Sequence, residues 1–225
     1  MKPPLLKVEN LSKAYAPGEF VWQNVQFDLG RGDFLYILGG SGAGKSSLLR
    51  TLSSLEAPSG GQVYYHGQDL STLGRSGLEK IRQRMAFIPQ NLGLIPDLTV
   101  RDHLAMTRFP LAKEDLTDEK TLEGFLQLMG LTKKLDKKVN TLSGGERQRV
   151  AILRALSKRA EILIADEPTG AQDFEMTWKL MDLFVKLNLS GVTLLLATHD
   201  LEMVRRLRKR CAILKDGGFR VEERA

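Results

Sequence analysis

One cysteine in 225 residues, Cys211, excludes an intrachain disulfide framework and fits a reducing compartment. It stands in Arg210-Cys211-Ala212-Ile213-Leu214, which reads as buried strand, so small apolar filler is its expected role. No apolar run approaches the ~18–20 residues that a bilayer span requires. The start, Met1-Lys2-Pro3-Pro4, lacks the apolar core of a secretory leader. These absences lead to the expectation of a cytoplasmic protein, held at any membrane by something else. There is neither an internal repeat nor a low-complexity tract, and the length reads as one domain with a subdomain. At 42% hydrophobic and 27% charged, the composition is that of a globular chain with a substantial core. The net charge of +6 suits a nucleotide, nucleic acid or an anionic membrane without choosing among them.

What is present is led by Gly39-Gly40-Ser41-Gly42-Ala43-Gly44-Lys45-Ser46, a complete G-x-x-x-x-G-K-[ST] loop. The apolar run Phe34–Leu38 precedes it and a helical pattern from Ser46 to Leu52 follows. Glycines let successive backbone N–H groups curl inward, and the helix adds its positive N-terminal end. Lys45 is then expected on the β- and γ-phosphates, and the Ser46 hydroxyl on Mg²⁺.

Around this loop the chain changes character twice. Strand-like runs at Leu5 to Glu9, Val21 to Leu29, Phe34 to Leu38, Gln62 to Gly67 and Met85 to Ile88 make the first part β-rich. From Asn91 to about Asn140, charged helical patterns replace them. From Leu142 onward, helix and strand alternate: 144–158, 161–165, 174–188, 192–197, a basic helix, 211–214 and a final hairpin. Alternation predicts a mostly parallel sheet covered by helices.

Two further motifs fit phosphate chemistry. Ile162-Leu163-Ile164-Ala165-Asp166-Glu167 is an apolar strand ending in two carboxylates. Asp166 suits a hard cation, which wants oxygen ligands, and Glu167 suits a general base for water. Strand C-terminal ends are also where open α/β sheets place ligands. In Leu142-Ser143-Gly144-Gly145-Glu146, the S-x-x-E spacing reads as a capping box. Its paired glycines read as close approach to an anion at a helix N-terminus.

That last motif, between the phosphate loop and Asp166-Glu167, resembles the signature of the ABC-type ATPases, and the likeness covers nearly the whole chain. It implies an α/β P-loop NTPase fold of ABC type over residues 1–225. A mostly parallel core, an N-terminal antiparallel β subdomain and a helical subdomain at about 91–158 are its expected parts. It implies that Tyr15 stacks on adenine and that Gln90, after Pro89, contacts Mg²⁺ and the γ-phosphate side. It also implies that Asp173 is the D-loop aspartate and His199 the switch histidine. Gly39 to Ser47 would bind one face of ATP. Ser143, Gly144, Gly145 and Glu146 of a second copy would close the other, in a head-to-tail dimer whose bridge is lost on hydrolysis.

Two positions depart from the family pattern. Gln172 precedes Asp173 where leucine is usual, and Ser47 stands where threonine is commoner. One nucleotide unit without a span implies a separate permease and a peripheral place on the inner face of the membrane. The Ser41–Lys45, Ala165–Gly170 and Ala197–Asp200 patterns, with the short length and no long C-terminal extension, resemble one bacterial branch. It includes the cell-division, lipoprotein-release and macrolide-export ATPases, the cell-division member slightly favoured. A soluble ABC-type ATPase acting on DNA or ribosomes is the alternative, and a small-molecule kinase a third reading. Nucleic acid is not the expected partner.

Leu92-Gly93-Leu94-Ile95-Pro96 reads as part of a groove for a permease helix or as a buried loop. The basic run Arg205–Arg210 reads as a solvated helix face, and His66, His103, Trp22 and Trp178 as packing residues.

Overall fold

The computed structural model describes residues 3–107, 119–158 and 160–222, without the side chains of 107 and 119–121. Near the N-terminus, alternating burial produces an antiparallel pair, β1 (Leu6–Ala16) and β2 (Glu19–Leu29). Their turn runs through Gly18, whose φ of 80° lies where L side chains are strained. β1 was expected to stop at Glu9. It continues to Ala16 because irregularities in its register with β2, the first between Val8 and Leu11, let the strand bend onward. β4 (Gly60–Tyr65) and β5 (Gln68–Asp69) complete a four-stranded sheet ordered β2-β1-β4-β5.

The second sheet has six strands in the order β10-β9-β3-β8-β7-β6. They are β3 (Phe34–Leu38), β6 (Met85–Ile88), β7 (Ile162–Asp166), β8 (Thr193–Thr198), β9 (Arg210–Lys215) and β10 (Gly218–Glu222). Every pairing is parallel except β9 with the edge strand β10. All residues of β3, β7 and β8 are buried, because helices or the first sheet cover both faces.

Strand pleating divides the core in two. Phe34, Tyr36, Leu163, Ala165, Leu194 and Leu196 join one cluster with residues of α5 (Gly144–Leu156) and α6 (Phe174–Leu189). Their neighbours Leu35, Ile37, Ile162, Ile164 and Leu195 join a second, with α1 (Lys45–Leu52) and the antiparallel sheet. Cys211 lies in the first cluster, 1% exposed, and burial pushes its thiol up, as apolar filler requires.

Two elements were not expected. α2 (Arg75–Gln83) has an apolar side made of Leu78 and Ile81 alone, and β5 is two residues long. Between β6 and β7 the described elements are α3 (Val100–Thr107), α4 (Glu119–Leu128), α5 and short 3₁₀ turns. Residues 108–118 of the expected helical subdomain lie outside the described residues.

The basic run is in part the expected solvated face, with Arg205, Arg206 and Arg208 exposed, and it also makes surface contacts. Beyond α7 (Leu201–Leu207), Arg210 donates to the Asp28 carbonyl at 2.8 Å. Arg206 pairs with Glu202 at 2.7 Å and lies 4.9 Å from the Trp178 ring centroid. No described helix is long and apolar enough to cross a membrane.

Candidate functional site

The loop between β3 and α1 is built by exclusion of side chains. A Cβ at Gly39 would stand 2.6 Å from the Leu214 carbonyl oxygen. At Gly44, with φ at 92°, it would meet Val21 at 2.5 Å and Trp22 at 2.9 Å. Only glycine fits, and the loop is thereby pressed against both sheets. Gly44 caps α1 without a side-chain hydrogen bond, and the first turn carries no acidic residue. The leading N–H groups of α1 and its dipole are therefore left for an anion. Lys45 Nζ donates to the carbonyls of Gly39 at 2.7 Å and Gly40 at 3.1 Å, curling over the loop from which it springs.

Opposite stands the end of β7. Asp166 is 3% exposed, its Oδ1 has no hydrogen-bond partner, and the Ser46 side chain is its hydrogen-bonding neighbour. Burial pushes the Asp166 carboxyl above the usual range, against the pull of Ser46 and Lys45. A buried carboxylate oxygen left unpaired beside a hydroxyl is a donor set that fits a hard divalent cation completed by phosphate oxygens. Glu167 follows in the left-handed region, at φ 50°. Its N–H donates to the Ala197 carbonyl at 3.0 Å. Its Oε1 lies 2.9 Å from His199 Nδ1 and 3.4 Å from Lys45 Nζ. The second carboxylate thus meets the loop lysine and the histidine after β8 at one point.

These groups line a cleft of about 990 Å³. Tyr15, Gly40 to Ser47, Gln90, Asp166, Glu167 and His199 are all on its wall. Tyr15 is 64% exposed. Its hydroxyl is held 3.1 Å from Glu56 Oε2 and 3.2 Å from Ser47 Oγ, with Lys13 Nζ 5.1 Å from the ring centroid. A ring anchored at its hydroxyl with an open face is a stacking platform.

Ser143, Gly144, Gly145, Glu146 and Asp173 do not line this cleft. Ser143 Oγ accepts from the Glu146 N–H at 3.2 Å, and Glu146 accepts from the Ser143 N–H at 2.9 Å, a reciprocal capping box on α5. The Ser143 N–H, with Lys134 behind it, holds the Glu146 carboxyl below its usual range. Asp173 caps α6 through the Met176 N–H at 2.8 Å.

The wall also holds residues that were not expected at the site, Val21, Leu92, Gly170 and Ala171 and, with polar side chains, Arg50 and Gln148. Arg50 hydrogen-bonds Glu56 and reaches the Tyr15 hydroxyl. Gln148, 4% exposed, donates to the Glu167 carbonyl at 2.9 Å and accepts from the Ala171 N–H at 3.0 Å. A signal for it existed: Gln148 falls four residues before Ile152, on the buried face of α5, where an amide needs partners.

Residues 22–170 match the family described as ABC transporter. The methionine import ATP-binding protein MetN 1 of Bacillus anthracis is 35% identical over 95% of this chain. The chain spans 63% of that relative's length. The phosphonates import ATP-binding protein PhnC of Bdellovibrio bacteriovorus is 36% identical over 95% of this chain and 86% of its own. Among solved structures, a dimeric ATP-binding cassette bound to ADP and Pi superposes with a TM-score of 0.85 at 35% identity. That match covers 97% of this chain and 98% of the other.

Proposed function

We propose a function from one premise: this chain belongs to the ABC transporter family. It binds ATP in the cleft between the glycine loop and the end of β7, and hydrolyses it to drive a separate permease subunit. The observation that carries this reading is the meeting of Lys45 and His199 on Glu167 Oε1, beside the unpaired Asp166 oxygen.

Each residue has a role that follows from its position. Tyr15 offers its open face to the base. The N–H groups from Gly40 to Ser47 and the Lys45 ammonium hold the phosphates. Gln90 reaches toward the γ-phosphate side. Ser46 and Asp166, with Gln90 beside them, would hold Mg²⁺, which neutralises phosphate charge when bound. Glu167 takes the proton of the attacking water, and His199 orients that carboxylate and contacts the γ-phosphate. Asp173, at the start of α6, contributes to the contact between copies.

Ser143 to Glu146 lie off the chain's own cleft, so their capped helix N-terminus is free to close the cleft of a second copy. Ser143→Arg is expected to abolish turnover and ATP-dependent dimer formation while ATP binding by the monomer stays within about twofold. Loss of the cap itself costs about 1 kcal/mol, read separately by thermal unfolding. Loss of monomer ATP binding in equilibrium dialysis would overturn the assignment in trans.

The permease docks at Leu92 to Pro96. Arg154 donates to the carbonyls of Leu92 and Gly93, both at 2.7 Å, and His103 accepts from the Ile95 N–H at 3.2 Å. These bonds present Ile95, 46% exposed, on a fixed loop. Ile95→Glu is expected to end co-purification with the permease and spare dimer formation. Unchanged co-purification would place the docking elsewhere. MetN 1 and PhnC favour an import complex over the cell-division or lipoprotein-release role that the short motifs favour. The chain would sit on the inner face of the membrane, and the co-purified permease would decide between those roles.

A further inference from the structure

Gln172, where this chain departs from its family's pattern, is not idle. Its Nε2 donates to the Gly145 carbonyl at 3.0 Å and to Gln148 Oε1 at 2.9 Å. Its Oε1 accepts from Arg149 Nη1 at 2.8 Å. Gln148 in turn holds the Glu167 carbonyl and the Ala171 N–H, and Arg149 Nε donates to the Met129 carbonyl at 2.9 Å. The N-terminal turn of α5 and the segment 167–172 are thus joined by side-chain amides within one chain. They are also in close contact, since a Cβ at Gly145 would stand 3.0 Å from the Ala171 carbonyl oxygen.

The backbone that this clasp holds is a strained one. Glu167 sits at φ 50°, a region that a non-glycine residue keeps only where its surroundings fix it. Three hydrogen bonds fix it: its N–H to Ala197, and its carbonyl to the Gly170 N–H and to the Gln148 amide. A leucine at position 172 would fill space but supply no donor to Gly145 or Gln148. Gln148 Oε1 would then keep the Ala171 N–H but lose the second of its two donors, and with it the side-chain link to Gly145.

We propose that Gln172 is a positioning residue for hydrolysis. Through Gln148 it makes the helix end that closes the second copy's cleft and the chain's own Glu167 move as one body. Seating of α5 against the partner's nucleotide is thereby transmitted to the proton acceptor at home, by bonds rather than by general packing. The inference rests on the reading of Glu167 as general base. Gln172 is not on the cleft wall, so it acts on the geometry of the reaction and not on nucleotide affinity.

The test uses Gln172→Met, which keeps length without hydrogen bonds, Gln172→Leu, Gln148→Met and the Gln148→Met/Gln172→Met double variant. Glu167→Gln is measured beside them. The expected result is a kcat about tenfold lower in Gln172→Met, Gln172→Leu and Gln148→Met, with the KM for ATP within about twofold in the two Gln172 variants, whose side chain is off the cleft wall. The double variant should turn over no more slowly than Gln148→Met alone, because the two act as one unit. Amide exchange at Ala171 should quicken about tenfold while exchange in the buried part of α5 stays unchanged. Wild-type kcat in both Gln172 variants would overturn the proposal, whether or not Ala171 exchange changes. So would a raised KM at unchanged kcat, or additive losses in the double variant. If Glu167→Gln itself turns over at the wild-type rate, the general-base reading fails first, which separates the two failures.

Discussion

Glu167→Gln is expected to lower ATP hydrolysis about 10²–10⁴-fold, the span that a positioned general base supplies, and to leave ATP binding in place. An amide keeps the size and one acceptor of the carboxylate but takes no proton at neutral pH. It also loses the charge that Lys45 faces at 3.4 Å, so the ammonium is held less firmly at home and is more available to phosphate. Binding should therefore be unchanged or tighter. With hydrolysis stopped and the γ-phosphate retained, the head-to-tail dimer should accumulate. Light scattering on size-exclusion eluate, with and without Mg-ATP, reads this as a shift from monomer to dimer. Steady-state phosphate release reads the turnover. A variant that hydrolyses at the wild-type rate would remove Glu167 from the base role. One that binds ATP yet stays monomeric would require the permease to bring the copies together.

Lys45→Ala acts on the other half of the site and by another route. Charge-assisted hydrogen bonds of the kind an ammonium makes to phosphate are worth about 1.5–3 kcal/mol, or about ten- to hundredfold in nucleotide affinity. Turnover should fall further than affinity, because charge on the transferring phosphoryl group is met by the same ammonium. The nucleotide-free protein should also lose stability, because the Glu167 carboxylate, buried beside Lys45, and the Gly39 and Gly40 carbonyls each lose a partner. What should vanish is nucleotide-induced stabilisation. At a ligand concentration of about 100 Kd that stabilisation is about 2.7 kcal/mol, and a hundredfold weaker Kd reduces it to about 0.4 kcal/mol. Thermal melts with and without ATP measure the difference directly. An undiminished shift in the variant would mean that the loop lysine does not bind phosphate.

Much of this was legible because the chemistry is written in contiguous residues. Gly39 to Ser46 and Ile162 to Glu167 each carry strand, loop and functional group in one short run. The pattern therefore fixed both the element and the side chain at its end. Gly44 was readable as a glycine, yet not the reason for it: Val21 and Trp22 come from a strand of the other sheet. Gln90 and Tyr15 were visible only through the family likeness, since neither residue type carries a local signal. The clasp was hidden for a different reason. Gln148 and Gln172 lie 24 residues apart, and their meeting depends on the fold bringing the start of α5 against the segment after β7. A departure from a familiar pattern was seen at Gln172, but its partners are tertiary. By contrast α2 does have an apolar side, Leu78 and Ile81 three residues apart, but two apolar residues in nine are a short signal.

The division of the core into two clusters has a consequence for the chemistry. Each strand that carries a functional group at its end is fed from both sides, Ile162 and Ile164 to one cluster, Leu163 and Ala165 to the other. Parity along β7, more than the identity of its apolar residues, therefore decides where Asp166 and Glu167 emerge. An exchange of one aliphatic residue for another of similar volume disturbs packing alone. A single inserted or deleted residue would preserve the hydrophobicity of the strand while sending every side chain to the opposite cluster. It would also bring the wrong carboxylate to the mouth of the cleft. Placement of Glu167 is in this sense a matter of counting, enforced residue by residue along the strand that precedes it.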